Sequence, residues 1–126
     1  MPTVREVMTT DVVTASPSMN VVDAAKKMIE QEKGPLPIVE GDRVLGMVTD
    51  RDLVAKVVAA GRDPNECSVT DVGTMEPVTI EPDQDLDEAR RLMAQHQLDR
   101  LIVVEGGRLA GIVSEADIRR DEGPLA

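Results

Sequence analysis

The sequence predicts an α+β fold made of two copies of one β-α-β-β-α unit, and three observations predict it. Sliding the 126-residue chain on itself by 65 positions aligns residues 4–53 with 69–118 without a gap, and 16 of the 50 pairs are identical. Unrelated segments would share roughly three, so the chain carries an internal duplication. Period-two strands and period-3.6 apolar stripes also fall in the same order in both copies. Finally, Leu101 to Val104 is an unbroken apolar run, which asks for cover on both faces of its strand.

Each element then follows along the chain. Thr3 with Glu6, and Ser68 with Asp71, are capping signatures that start a short amphipathic turn. Val12 to Ala15 and Val78 to Ile80 read as brief strands, halted by Pro17 and Pro82. Asn20 and Asp85 open the next helix, with Asp23 and Glu88 three residues on as the other half of a capping box. Its buried stripe is Val21, Ala24, Ala25 and Met28 in one copy and Leu86, Ala89 and Met93 in the other. LPIVE and VLGMVT, then LIVVE and LAGIVS, pair as hairpins over the turns GDR and GGR. A final helix is expected over Asp50 to Ala60 and, shorter, from Glu115 to about Arg120.

The boundaries that result are repeat 1 over 1–60, a linker over 61–67 (GRDPNEC), repeat 2 over 68–122 and a tail over 123–126. About fifty residues bury little apolar surface alone, so the copies are expected to pack through their sheets with pseudo-twofold symmetry and equivalent clefts.

Composition removes several function classes. A net charge of −10 argues against a nucleic-acid groove, and the absence of Phe, Tyr and Trp removes base-stacking platforms. No apolar run approaches a membrane span and no signal-peptide pattern opens the chain, so the expected location is cytoplasmic, with no membrane partner. One cysteine, Cys67 in a polar loop, and one histidine, His96, give neither a disulfide nor a Cys/His metal cluster. The seven methionines fill a core that lacks aromatics, with Met47 the exception.

The repeated chemistry lies in GMVTDRDLV (Gly46 to Val54) and GIVSEADIR (Gly111 to Arg119). Each places a hydroxyl where a strand becomes a helix and a carboxylate three residues on, Thr49 with Asp52 and Ser114 with Asp117. That spacing is itself a helix cap. The same geometry suits a nucleotide: a hydroxyl beside phosphate, a carboxylate accepting from a ribose diol, and a glycine that permits close approach.

The element order, the phrases VREVMTTDVVT and VTDVGTMEPVT, the strands GPLPIVE and DRLIVVE, and G-x-x-[ST]-x-x-D in both copies resemble a tandem pair of cystathionine-β-synthase (CBS) domains. Such a pair is also called a Bateman module. The resemblance runs from Val4 to Arg119 and is to the stand-alone bacterial members, the hypoxic-response type among them. It implies a non-catalytic sensor that binds an adenosine-containing small molecule in clefts between the repeats, and a homodimer.

By the same resemblance Asp52 and Asp117 would hold ribose hydroxyls, Thr49 and Ser114 phosphate, and Met47 and Ile112 would line the adenine or sugar wall. The Asp117 side would add Thr10, Val12 and Val13 with Lys33, Gly34 and Pro35. The Asp52 side would add Met75, Pro77 and Val78 with Leu98, Asp99 and Arg100. Arg100 aligns with an arginine that some members use on phosphate; Pro35 stands at its counterpart in the first copy.

No cofactor is required by this reading. ATP would bring roughly four negative charges to an acidic chain and would need Mg²⁺ or local cations, so AMP or ADP is favoured. The alternative is a protein-interaction scaffold, with an unknown protein partner, whose clefts are vestigial and whose Thr/Asp and Ser/Asp pairs are only caps. An enzyme is disfavoured because no base, nucleophile or metal set accompanies the carboxylates.

Overall fold

The computed structural model describes residues 2–122; the tail over 123–126 lies outside them. In chain order the elements are α1 (Val4–Val7), α2 (Val21–Gln31), β1 (Pro35–Glu40), β2 (Arg43–Thr49) and α3 (Asp50–Leu53). A π-helical turn, Val54–Val58, and a 3₁₀ turn, Pro64–Glu66, come next. Then follow α4 (Val69–Val72), β3 (Thr74–Met75), β4 (Thr79–Ile80), α5 (Leu86–His96), β5 (Arg100–Glu105), β6 (Arg108–Ser114) and α6 (Glu115–Glu122).

The chain forms two compact units that cut across the sequence repeats. One joins Met1–Val12 to Val78–Ala126, and the other is Val13–Pro77. Backbone hydrogen bonds explain the exchange. The Val4 and Arg5 N–H groups donate to the Gln84 and Pro82 carbonyls at 2.9 Å each, and Thr9 and Ile112 exchange bonds of 2.8 and 2.9 Å. In the other unit Val69 donates to Met19 and Val21 to Cys67, both at 2.9 Å. Each copy's opening helix is thus satisfied by the other copy's strands and loops.

In the unit Val13–Pro77, β1 and β2 form an antiparallel hairpin turned at Gly41, whose φ is +66°. β3 adds antiparallel to β2, with Gly46 opposite Met75 and Met47 opposite Thr74. Ala15 bridges Ile38 in parallel on the far side of β1. Only this bridge is left of the strand expected over Val12 to Ala15, because Pro17 and the following turn end the pairing. α2 covers the sheet: Val21, Ala24 and Met28 are buried with Leu36, Ile38 and Val48. The exchanged α4 contributes Val69 and Val72 to this core, and Cys67 is buried there too, not exposed in a polar loop. Its thiol lies 3.4 Å from the Asp63 carbonyl.

The other unit repeats this plan. β5 and β6 form the hairpin, β4 runs parallel to β5 with Thr79 opposite Ile102, and Thr9 pairs with Ile112 on β6. Its core gathers Leu86, Ala89 and Met93 of α5, Leu101, Val103 and Val113 of the hairpin, Ile118 of α6 and Val4 of the exchanged α1. Leu101, Ile102 and Val103 are all buried, as the unbroken apolar run predicts.

Two details depart from the sequence reading. Asp85 caps α5 through the Glu88 N–H (2.9 Å) and Asn20 caps α2 through the Val22 N–H (2.8 Å), neither in the reciprocal box expected with Glu88 or Asp23. The Asn20 amide nitrogen instead donates to the carbonyls of Pro64, Asn65 and Cys67 at 3.0–3.2 Å, fastening the linker. The helix expected over Asp50 to Ala60 turns π-helical after Leu53, with the Ala59 N–H reaching the Val54 carbonyl at 2.8 Å. Within that turn Val57 is buried, while Val54 and Val58 are 60% and 74% exposed; Ile29 on α2 is 79% exposed.

Candidate functional site

In the Val13–Pro77 unit the candidate residues begin on β2. Its buried residues Gly46 and Val48 alternate with the partly exposed Met47 and Thr49, so the latter pair share one face. The chain then enters α3, and the cap forms in both directions. The Thr49 hydroxyl accepts from the Asp52 N–H at 3.2 Å, and Asp52 Oδ2 accepts from the Thr49 N–H at 2.9 Å. Asp52 Oδ1 faces Lys56 Nζ at 3.4 Å.

The glycine before this motif answers a steric demand. A Cβ on Gly46 would lie 2.7 Å from the Thr74 carbonyl oxygen and 2.7 Å from the Met75 sulfur. Only a residue without a side chain lets β3 lie there. Met75 is therefore brought beside β2, and Pro77 follows Glu76, whose N–H donates to the Leu45 carbonyl at 3.0 Å.

The other unit repeats the arrangement with different charge partners. The Ser114 hydroxyl accepts from the Asp117 N–H at 3.1 Å, and Asp117 Oδ2 accepts from the Ser114 N–H at 2.9 Å. Asp117 Oδ1 pairs with Arg120. Its carboxylate is 6% exposed against 17% for Asp52, so Asp117 is the more deeply held of the two. Gly111 passes the Thr9 carbonyl as Gly46 passes Thr74: a Cβ would meet that oxygen at 2.6 Å. Ile112 and Thr10 are thereby brought close along the chain, since Ile112 pairs with Thr9.

Backbone pairing sets Pro35 opposite Thr49 and Arg100 opposite Ser114. The Asp50 N–H donates to the Gly34 carbonyl at 3.1 Å, and the Glu115 N–H to the Asp99 carbonyl at 2.8 Å. Lys33 is exposed, as is Asp99, while Val12, Val13 and Val78 are partly covered. The Arg100 guanidinium grips its neighbour Asp99 with bonds of 2.9 and 3.2 Å. That contact holds the Asp99 carboxyl below its ordinary range, and it occupies the cation the sequence offered for phosphate. Leu98 packs against its own unit's core and lines a groove of about 310 Å³ between α5 and α6, with Met93 and Ile118.

Sequence reasoning did not single out Lys56 or Arg120. The signal was present as spacing: Lys56 is four residues after Asp52, and Arg120 three after Asp117, both within side-chain reach on a helix. Their counterparts in the opposite copy are Asp121 and Ala55, so the repeat itself gave no help. Among the described residues no group of three or more His, Cys, Asp or Glu stands together to hold a metal ion. No helix among them is long and apolar enough to cross a membrane.

YhcV of Bacillus subtilis, a CBS domain-containing protein, is 40% identical over 118 residues, covering 94% of this chain and 84% of its own. Hypoxic response protein 1 of Mycobacterium tuberculosis is 37% identical over 121 residues, covering 95% of this chain and 85% of its own. A crystal structure of Hypoxic Response Protein I, with two coordinated zinc ions, superposes with a TM-score of 0.85 over 94% of this chain and 97% of that one. The CBS domain pair of protein MJ0100, crystallised with 5′-methylthioadenosine and S-adenosyl-L-methionine, gives 0.86 at 26% identity over 98% and 97%. CBSX2 in complex with AMP gives 0.85 at 27% identity over 97% and 96%. The CBS-domain family model matches residues 4–59 and 69–122, so this chain belongs to the CBS-domain family as a tandem pair.

Proposed function

We propose that the chain is a non-catalytic regulatory module that binds an adenosine-containing ligand through Asp52, Asp117 or both. The observation that carries this reading is the duplicated carboxylate. In each unit one oxygen of the aspartate closes a helix cap while the other faces a single cation. A carboxylate offers about four acceptor positions, so each keeps capacity for a vicinal diol. Asp52 would act with Thr49, Met47, Met75 and Pro77, and Asp117 with Ser114, Ile112, Thr10 and Val12. Relatives of the same fold crystallised with AMP and with S-adenosylmethionine support the ligand class.

The anion end of the ligand is the less well served. Arg100 is engaged by Asp99, and Pro35 stands at its counterpart in a chain of net charge −10. AMP or ADP is therefore favoured over ATP, which would require Mg²⁺ to offset its charge. The exposed Ile29, Val54 and Val58 support association into a homodimer, and a cytoplasmic location accords with this role.

One observation favours a second reading, that of a protein-interaction scaffold. Both caps are complete without a ligand, so stability alone would explain the repeated motif. Thermal melts with AMP, ADP, Mg-ATP, NAD and S-adenosylmethionine, and GMP as control, separate the two. A ligand at 100 times its dissociation constant stabilises by about 2.7 kcal/mol, which raises the melting temperature by several degrees. An adenine-selective rise supports the module; no rise with any of them at millimolar concentration supports the scaffold.

A further inference from the structure

We infer that Lys56 is a positioning residue that makes Asp52 selective for a vicinal diol; this rests on the adenosine-binding reading above. Lys56 lies in the π-helical turn Val54–Val58. Its Nζ donates to the Val72 carbonyl at 2.9 Å and lies 3.4 Å from Asp52 Oδ1. Val72 is the last residue of α4, and only Gly73 separates it from β3, which carries Met75. β3 in turn pairs with Gly46 and Met47. Contacts thus run from Thr49 through Asp52 and Lys56 to Val72, and the backbone continues from Val72 into β3, which lies along β2 beside Gly46 and Met47.

The ammonium is a clasp that fixes the plane of the carboxylate. The Thr49 N–H donates to Oδ2 at 2.9 Å and the ammonium attracts Oδ1 across an ion pair of 3.4 Å, so rotation about the Cβ–Cγ bond would weaken both contacts. Each oxygen then retains one free lone-pair direction. Two acceptors side by side in a fixed plane match two hydroxyls on adjacent carbons better than one hydroxyl. Lys56 stands four residues after Asp52, within side-chain reach on a helix, and its ammonium reaches the α4 carbonyl at the same time.

The copies differ here. Asp117 Oδ1 also meets a cation, but Asp121 stands where Lys56 stands in the first copy and the cation is Arg120, which is 75% exposed; Lys56 is 49% exposed and is anchored on the Val72 carbonyl as well. Preference for a diol over a single hydroxyl is therefore a property of Asp52 more than of Asp117.

The test is calorimetric titration with adenosine and 2′-deoxyadenosine, which carry no phosphate for the ammonium to attract. All proteins carry Asp117→Ala, leaving Asp52 as the diol acceptor, and differ at position 56. With Lys56, adenosine is expected to bind about tenfold or more tightly than the deoxynucleoside, the worth of one hydrogen bond to a charged acceptor. With Lys56→Gln the ratio falls below about threefold, and Lys56→Arg restores it. A merely structural lysine would lower stability and affinity for both nucleosides without changing their ratio.

An unchanged ratio in Lys56→Gln overturns the clasp and leaves the adenosine reading in place. Loss of all binding in the Asp117→Ala protein, with binding kept by Asp52→Ala, does the same. Failure of the unmodified protein to bind either nucleoside or any adenine nucleotide overturns both.

Discussion

Replacing Gly111 or Gly46 with alanine is predicted to destabilise the protein by an amount that can be worked from contacts already described. A Cβ on Gly111 would stand 2.6 Å from the Thr9 carbonyl oxygen and 3.1 Å from the Met8 sulfur. Carbon and oxygen meet comfortably at about 3.3 Å, so the Thr9 segment must retreat by about 0.7 Å. Thr9 is held to Ile112 by two hydrogen bonds of 2.8 and 2.9 Å. Retreating that far stretches them to about 3.5 Å, past the useful range. Overpacking of this kind costs about 1–3 kcal/mol, and removing a glycine from a strand returns about 0.5–1 kcal/mol.

From the middle of both ranges the net loss is about 1 kcal/mol. For a chain of this size that lowers the melting temperature by roughly 3–6 °C. Gly46→Ala meets the Thr74 carbonyl at 2.7 Å and should cost a similar amount. Far-ultraviolet circular dichroism melts measure this in a chain without aromatic residues. A melting temperature equal to or above that of the unmodified protein in either single variant would refute the close-approach argument.

Other outcomes follow from the same contacts. Asn20→Ala removes the α2 cap and three bonds to the linker; it should cost about 1–2 kcal/mol, read as a shift of the urea midpoint with an unchanged slope. Ser114→Ala should cost about 0.5–2 kcal/mol by removing one arm of the α6 cap, measured in the same way. The carboxyls of Asp71, Glu88 and Asp99 are all lowered, by the Ser68 backbone, Arg91 and Arg100 respectively. Groups with lowered values contribute stability that is present above the unfolded-state value, about 4, and is lost as pH falls through their folded values. The urea midpoint should therefore fall from pH 5 to pH 3, and by less in Arg91→Gln; an equal fall in both would contradict that assignment.

The parts of the fold legible in the sequence are those fixed by neighbours along the chain. The hairpins announced themselves through GDR and GGR turns between apolar strands, and β1–β2 and β5–β6 form there. The caps at Thr49 and Ser114 were legible because both partners lie within four residues. The exchange of α1 and α4 was not, because the bonds that dock Val4 and Thr9 go to Gln84 and Ile112, and local periodicity holds no record of a partner so distant. The burial of Cys67 was missed for a related reason: its polar neighbours describe the linker's outer face, while Asn20 pulls its backbone inward. Lys56 was passed over although its spacing from Asp52 marks it, because the repeat comparison finds Asp121 and no matching cation at its counterpart.

Of the site itself, the duplicated glycine, hydroxyl and carboxylate were readable, and the cations that balance them were not. The difference is physical. The first three are set by backbone geometry common to both copies, whereas Lys56 and Arg120 reach their aspartates from different helical positions.

The most direct test of the central claim is titration calorimetry of AMP into the unmodified protein, Asp52→Ala and Asp117→Ala. The account predicts saturable binding that one or both substitutions weaken by at least about 100-fold, the loss of two hydrogen bonds to a charged acceptor. Binding of AMP with equal affinity by all three proteins, each shown folded by its melt, would contradict it.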